Sequence, residues 1–201
     1  MSGSITTRQG DSGTTRLYSG EIVSKSSRRM IICGLIDQCV SVLGVAFTRV
    51  KEEAWKVGSS ETLAQLGEIA NDITYIQKKF FDVASEIATL EPKLSKLPNR
   101  IDEKILAELD LKCLAMEYCT PLPKGFVLPG HSFNRFSCYL DLARTTCRQI
   151  EAPLVDLFNS EKIGSKWELT NTILLKYINR LSDYIYLLAR YSENEDYRMV
   201  K

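Results

Sequence analysis

Nine apolar residues recur every three or four positions over almost thirty residues of this chain. They are Leu63, Leu66, Ile69, Ile73, Ile76, Phe80, Val83, Ile87 and Leu90. On an α-helix this spacing places all of them on one stripe, so the pattern predicts a long amphipathic helix that ends before Pro92. Such a stripe is stable only when other elements cover it, which favours a bundle of long helices.

Four further segments carry the same period. They predict helices over about 28–56, 101–118, 134–158 and 168–191, with Pro153 inside the fourth, where it should kink the helix. No segment shows convincing strand alternation. The sequence therefore predicts an all-α fold, a five-helix bundle preceded by an irregular N-terminal loop.

Length and composition indicate how the chain is organised. A chain of 201 residues with 44% hydrophobic content is long enough for one domain with a substantial core. Residues 1–27 are polar and rich in Gly, Ser and Thr, which predicts a flexible arm. We expect the arm to be followed by a bundle over 28–191 and a C-terminal tail over 192–201.

The charge balance limits the partners. Because 26 basic and 25 acidic residues leave a net charge of +1, no global field favours nucleic acid or an anionic membrane. The polar N-terminus lacks the apolar core of an export signal, and Asp37 and Gln38 interrupt the most apolar stretch. We therefore expect no membrane span, and a cytoplasmic protein or one of an organelle matrix.

Cysteine and histidine usage also favours an intracellular protein without a histidine-rich metal site. The six cysteines show no CxxC spacing and most lie in apolar helical contexts, so we expect buried free thiols in a reducing compartment. His131 is the one histidine. It makes a histidine-rich metal site or a Ser-His-Asp triad improbable, and in its loop it is expected at the surface, although an imidazole can also ligate a metal.

The fourth predicted helix carries Arg144, Arg148 and Glu151 at i, i+4 and i+7, directly after a loop that displays Phe126. This spacing gives one stripe. The stripe is either a solvated helix face or an anion site, since arginine offers a planar fork of donors that fits phosphate. On these residues alone, the solvated face is favoured.

Two other groups suggest polar chemistry. In the segment TTRQGDSGTTR, Gly10 and Gly13 bracket Asp11, and converging backbone N–H groups with Arg8 or Lys25 could hold an anion, although a polar N-terminus would look similar. Near the C-terminus, Asn179 and Asp183 lie one turn apart. They could hold a ribose hydroxyl or a metal-bound phosphate, or simply border the apolar stripe.

Asp37 lies in the middle of an otherwise apolar helix. A buried unpaired carboxylate is costly, so Asp37 should either reach water or meet a cation, for which Arg144 is the natural candidate.

Seven motifs occur together in one order: TTRQGDSGTT, VSKSSRR, GLIDQ, IQKKFFDVASEIATLEP, FVLPG, LARTTCRQIEA and YINRLSDYIYLLAR. From about Thr7 to Arg190 the chain thereby resembles the PduO-type ATP:corrinoid adenosyltransferases. The resemblance implies a homotrimer with an active site at each subunit interface. It also implies that cob(I)alamin, a corrinoid, attacks the 5′ carbon of ATP in the presence of Mg²⁺, forming adenosylcobalamin and releasing triphosphate.

The resemblance further implies roles for individual residues. Phe126 would fill the space below the corrin ring and displace its lower axial ligand, while Asp37 and Arg144 would form an interface salt bridge. Catalytic roles fall to Phe126, Arg148 and Asp37. The ATP contacts would be Thr7, Arg8, Gly10, Asp11, Gly13, Thr14, Thr15, Lys25, Arg148, Glu151 and Asn179.

The chain also departs from the family pattern. Gln9, Gln149 and Ala152 stand where the family usually has a threonine and two arginines, and Pro153 follows. Two cations near the triphosphate would then be missing. The alternative function is a weakened or inactive paralogue that binds corrinoid or ATP as a carrier. Either protein would meet a reductase and an adenosylcobalamin-dependent enzyme as partners.

Overall fold

Five long helices carry the predicted apolar stripes in the computed structural model, which describes residues 6–161 and 168–200. Within these residues the helices are α1 Arg28–Ala54, α2 Ser60–Ile87, α3 Glu103–Cys119, α4 Ser137–Glu161 and α5 Glu168–Glu193. A short 3₁₀ turn, Leu94–Lys96, follows α2. The all-α five-helix prediction is confirmed, and the predicted ends differ from the observed ones by a few residues. The predicted link between the fourth and fifth helices falls largely outside the described residues, at 162–167.

Local chemistry explains where the helices begin. Asp102 precedes α3 and its carboxylate accepts a hydrogen bond from the N–H of Ile105 at 2.8 Å, so it caps the helix beside Glu103. Ser59 caps α2 in the same way. Helix α4 runs through Pro153 as one element. Because proline has no N–H, the carbonyl of Gln149 loses its usual partner within the helix.

The helices run alternately up and down. The Sγ of Cys39 on α1 donates to the carbonyl of Ala143 on α4 at 3.3 Å, and Arg28 at the start of α1 pairs with Asp156 near the end of α4. The start of α1 also meets the end of α2, where Arg29 donates to a backbone carbonyl. The bundle therefore has an arm end, where α1, α3 and α5 begin, and a loop end, where they finish.

The core lies where the stripes meet. On α1, residues Ile32, Ile36, Cys39, Leu43, Ala46 and Val50 alternate by threes and fours and are all buried. All six cysteines are free thiols, three of them buried, as expected. Burial raises the pKa of the Cys39 thiol to about 12, so this thiol stays protonated and acts as a packing residue.

The outward face of α1 mixes two apolar residues with small and polar ones, including the exposed Gly34, Gln38 and Ser41. Ile31 and Val45 are 47% and 42% exposed, and Asp37 is the only charged side chain between residues 30 and 48. By length and composition α1 is long and apolar enough to cross a membrane, a property that core helices of soluble proteins share. Its inner face packs in the core, and among the described residues much of its outer face stays open to solvent.

Four short strands, which the sequence did not predict, form two antiparallel pairs. In the N-terminal arm, β1 Thr14–Arg16 pairs with β2 Ile22–Ser24. At the loop end, β3 Val127–Leu128 pairs with β4 Arg198–Met199, so the C-terminal tail lies against the loop before α4.

Candidate active site

A cavity of about 520 Å³ opens at the loop end between α4 and α5. The loop before α4 contributes Phe126, α4 contributes Asp141, Arg144 and Arg148, and α5 contributes Asp183, Tyr186 and Arg190. The structure therefore brings together the aromatic and the two arginines that the sequence singled out. The lining combines an apolar ring with three arginines and with the carboxylates of Asp141 and Asp183.

Phe126 is 84% exposed at the edge of this cavity. Its backbone is held by the tail, since the N–H of Val200 donates to the carbonyl of Phe126 at 2.8 Å. The next two residues of the loop, Val127 and Leu128, pair with the tail as strands β3 and β4. Asp196 adds a bond from the N–H of Phe133 at 2.8 Å. The Phe126 ring is thus exposed to solvent, while the C-terminal tail holds the backbone of its loop.

The floor of the cavity is a buried ion cluster. Arg190 is 2% exposed and donates to Asp141 at 2.7 Å and to Glu193 at 2.7 and 3.0 Å. Burial raises the pKa of Glu193, and the Arg190 guanidinium opposes that rise. The Tyr186 ring lies between two cations, 4.9 Å from the guanidinium of Arg190 and 5.7 Å from that of Arg144. The cluster ties α4 to α5 beneath the predicted binding residues.

Arg148, Glu151 and Asn179 lie further along the same two helices. Asn179 donates a long hydrogen bond of 3.5 Å to Glu151, which confirms that the α4 stripe faces α5. Arg148 is exposed and, within the described residues, forms no ion pair, not even with Glu151 at i+3. Arg148 therefore lies on a solvated helix face, as favoured from the sequence, without pairing with Glu151. An unpaired guanidinium at the rim of a cavity is available to an anion.

Asp37 and Arg144 do not meet within the chain. Asp37 is exposed on α1, so in the isolated chain it reaches water, which was one of the two expected outcomes. Arg144 lies 3.7 Å from Asp141, and its buried Nε atom has no hydrogen-bond partner. Arg144 is thus incompletely satisfied by its own chain.

The glycine-bearing arm folds as a hairpin. Gly13 has a φ of +81°, which glycine adopts without strain, and its carbonyl accepts from the N–H of Lys25 at 2.9 Å. The Lys25 ammonium lies over Gly10, where an added Cβ would be 2.7 Å away. Lys25 and the exposed turn around Asp11 thus lie together, as the sequence predicted. Thr7 and Arg8 precede the turn, and Thr14 and Thr15 open β1.

The hairpin and Phe126 lie at opposite ends of the bundle. Ser19 in the hairpin donates from its N–H to the carbonyl of Ala88, just after α2, and its own carbonyl accepts from Lys93. The end of α2 belongs to the arm end, whereas Phe126 precedes α4 at the loop end. Helix α4 has 25 residues and so spans about 37 Å. One chain does not bring the arm to the Phe126 ring.

A family model described as cobalamin adenosyltransferase matches residues 5–192. The chain belongs to this family. It is 30% identical over 190 residues to a corrinoid adenosyltransferase of Citrobacter freundii, covering 94% of each chain. It is 31% identical over 186 residues to a cobalamin adenosyltransferase of Cupriavidus metallidurans, covering 92% of this chain and 86% of the relative.

Solved structures of adenosyltransferases agree with this assignment. A phenylalanine-to-alanine variant of the PduO-type ATP:corrinoid adenosyltransferase from Lactobacillus reuteri, complexed with cobalamin and ATP, superposes with a TM-score of 0.75 at 26% identity. It covers 98% of this chain and 99% of its own. An arginine-to-lysine variant complexed with ATP gives 0.74. The resemblance drawn from the seven motifs is confirmed.

Sequence reasoning missed part of this adenosyltransferase site. It did not find the buried cluster of Asp141, Arg190 and Glu193, the Tyr186 ring or the tail strand. Arg190 carried a usable signal, because an arginine inside an apolar helix stripe must have a carboxylate partner. The partner Asp141 lies 49 residues away, so the local pattern could not name it. His131 is exposed, as expected.

Proposed function

We propose that this chain transfers the 5′-deoxyadenosyl group of ATP to cob(I)alamin, giving adenosylcobalamin and triphosphate. The observation that carries the proposal is the cavity shared by Phe126 and Arg148. An exposed aromatic suits the apolar face of a large macrocycle, and the unpaired guanidinium suits a phosphate chain. Membership of the cobalamin adenosyltransferase family supports the same reaction.

In this reaction the protein would position the substrates and stabilise charge, because cobalt(I) and not a side chain is the nucleophile. Cobalt(I) supplies the electron pair of the new bond to C5′, the C5′–O bond breaks, and its electron pair leaves on the triphosphate. Arg148 would stabilise the charge that grows on the leaving group. Glu151 and Asn179 would hold the nucleoside so that C5′ faces the cobalt.

Phe126 would act before the transfer. Cobalt(II) in water keeps a lower axial ligand, and removing that ligand lowers the orbital that must accept the electron. A fixed, exposed ring can occupy the vacated space without offering a donor atom. An external one-electron donor, supplied by a reductase, would then give the cobalt(I) nucleophile.

We place the complete site between chains of a homotrimer. The arm and Phe126 lie at opposite ends of one bundle, so a neighbouring chain would have to supply one of them. The exposed apolar residues Ile31 and Val45 of α1 support such contacts, since exposed apolar surface marks association sites. Asp37 on that helix and the partly exposed guanidinium of Arg144 would pair across the interface.

The arm would bind the triphosphate. The backbone turn from Gly10 to Gly13 and the Lys25 ammonium above it form a compact anion site. Within the described residues no cluster of three metal-ligating side chains occurs. Mg²⁺ commonly binds through one or two carboxylates and substrate phosphates, so Asp11 would hold it together with the triphosphate, where the ion neutralises phosphate charge.

The departures at Gln9, Gln149 and Ala152 favour the carrier alternative. Each missing charged phosphate contact is worth about 1.5–3 kcal/mol. Of the arginines that could compensate, Arg29 is buried and Arg16 donates to a carbonyl within the hairpin, and both are therefore used by the fold. The exposed Arg8 remains as the compensating cation.

One experiment separates the two functions. The protein is mixed under anaerobic conditions with ATP, Mg²⁺ and chemically reduced cobalamin, and the cobalt–carbon absorbance is followed. Adenosylcobalamin formation with release of triphosphate supports the transferase. Corrinoid binding without any cobalt–carbon bond would select the carrier instead.

We propose a cytoplasmic or organelle-matrix enzyme that receives electrons from a reductase and passes adenosylcobalamin to a dependent enzyme. The free cysteines fit a reducing compartment.

A further inference from the structure

A second cavity, of about 270 Å³, lies next along the loop that carries Phe126. Its lining comes from Arg49 on α1, from Gly130, Ser132 and Arg135 in the loop, and from Tyr139 on α4. We propose that this cavity binds the phosphate of the nucleotide tail of the corrinoid after the tail has been displaced from cobalt. The proposal rests on the proposed function.

The lining has the chemistry of a phosphate site. Arg135 is exposed and has no ion-pair partner in the part of the chain that the structure describes. Arg49 is held by Glu52 at 2.7 Å, an exposed pair that fixes its guanidinium at the rim at little energetic gain. No carboxylate lines the cavity. Two guanidinium groups around one space favour an anion with several acceptor oxygens.

Two carboxylates just outside the lining are already engaged, Glu52 by Arg49 and Asp196 by the loop. Asp196 accepts hydrogen bonds from the hydroxyl of Ser132 at 3.2 Å and from the N–H of Phe133 at 2.8 Å. These bonds fix the loop wall, and the Asp196 charge is partly met by two donors. The wall of the cavity is therefore preformed, which lowers the entropy cost of binding.

The position of the cavity identifies the source of the phosphate. In cobalamin the lower base is joined to the corrin ring through a ribose and a phosphodiester. When Phe126 takes the lower axial position, the base leaves cobalt but the tail stays tethered on the side of the ring that Phe126 faces. Gly130, four residues after Phe126, already lines the second cavity.

Cobinamide, which has the corrin ring but no nucleotide tail, provides the test. Binding of cob(II)alamin and cob(II)inamide to the full-length protein with ATP and Mg²⁺ is titrated anaerobically. We expect Arg135→Gln to weaken cob(II)alamin binding about tenfold, the value of one charged hydrogen bond, and to leave cob(II)inamide unchanged. Arg49→Gln should do the same, and Arg135→Lys should restore part of the loss.

Lys51→Gln is the matched control, because it removes an exposed cation of α1 that does not line the cavity. It should change neither affinity. Equal losses for both corrinoids with Arg135→Gln, or no loss for either, would overturn the proposal. A raised KM for ATP with unchanged cob(II)alamin affinity would assign the cavity to nucleotide phosphate and would also overturn it.

The proposed function fails in a different way, namely when the wild-type protein forms no cobalt–carbon bond with either corrinoid. The corrinoid discrimination is measured by binding alone, so the two failures are distinguishable.

Discussion

Replacing Arg190 by alanine should destabilise the protein far more than removing any exposed arginine. Arg190 is almost fully buried and is the shared partner of Asp141 and Glu193, which are themselves 4% and 3% exposed. The variant leaves the buried Glu193 without a cation and Asp141 with only the longer contact of 3.7 Å to Arg144. Breaking a buried ion pair in this way costs about 3–5 kcal/mol of the free energy of unfolding.

Arg180 on the same helix provides the control. It pairs with Asp110 at 2.7 Å, but both side chains are 44% exposed. Arg180→Ala should therefore cost only about 0.2–1 kcal/mol. Urea unfolding followed by circular dichroism measures both variants, at one protomer concentration because association adds to apparent stability.

The pH dependence gives a second readout. Burial raises the pKa of Glu193, and without Arg190 only the hydrogen bond with Ser137 opposes that rise. An acid whose folded pKa exceeds its unfolded value, about 4.3 for Glu, favours folding below that value and loses the contribution as pH rises through the folded pKa. The stability deficit of Arg190→Ala should therefore narrow as the pH falls from 7 toward about 4.5. A deficit no larger than that of Arg180→Ala, or one independent of pH, would refute the reasoning.

Four further outcomes are expected. Phe126→Ala should admit a lower ligand and impair reduction to cobalt(I) more than ATP binding, so a corrinoid reduction assay and an ATP titration should diverge; equal losses contradict the plug. Arg148→Gln should raise the KM for ATP about tenfold or more while corrinoid affinity holds, as a lost charged hydrogen bond requires; an unchanged KM contradicts the phosphate contact. Asp37→Arg and Arg144→Asp should each reduce trimer in analytical ultracentrifugation and restore it when combined; no change in mass contradicts the interface pair. Ending the chain after Glu195 removes β4 and the bond to the Phe126 carbonyl, so corrinoid affinity should fall about fivefold with the KM for ATP unchanged; undiminished affinity would show that the tail does not position the loop.

Much of the fold could be predicted because helices obey a local rule. The spacing of the stripe from Leu63 to Leu90 is enough to indicate α2. Asp102 marks the start of α3 because its carboxylate accepts a hydrogen bond from the N–H three residues later. The relation of Arg148 to the α4 stripe is equally local. The four short strands could not be predicted, since β3 gains its partner only when residue 199 lies beside residue 127.

The sequence by itself determined five amphipathic helices, a glycine-bearing arm and a set of polar residues at helical spacing, because each depends on neighbours within a few turns. Only the tertiary structure decided that Arg190 is neutralised by Asp141, that the C-terminal strand fixes the loop of Phe126, and that the arm lies at the opposite end. These depend on which helices pack together and in which direction, and periodicity along one helix does not specify its neighbours.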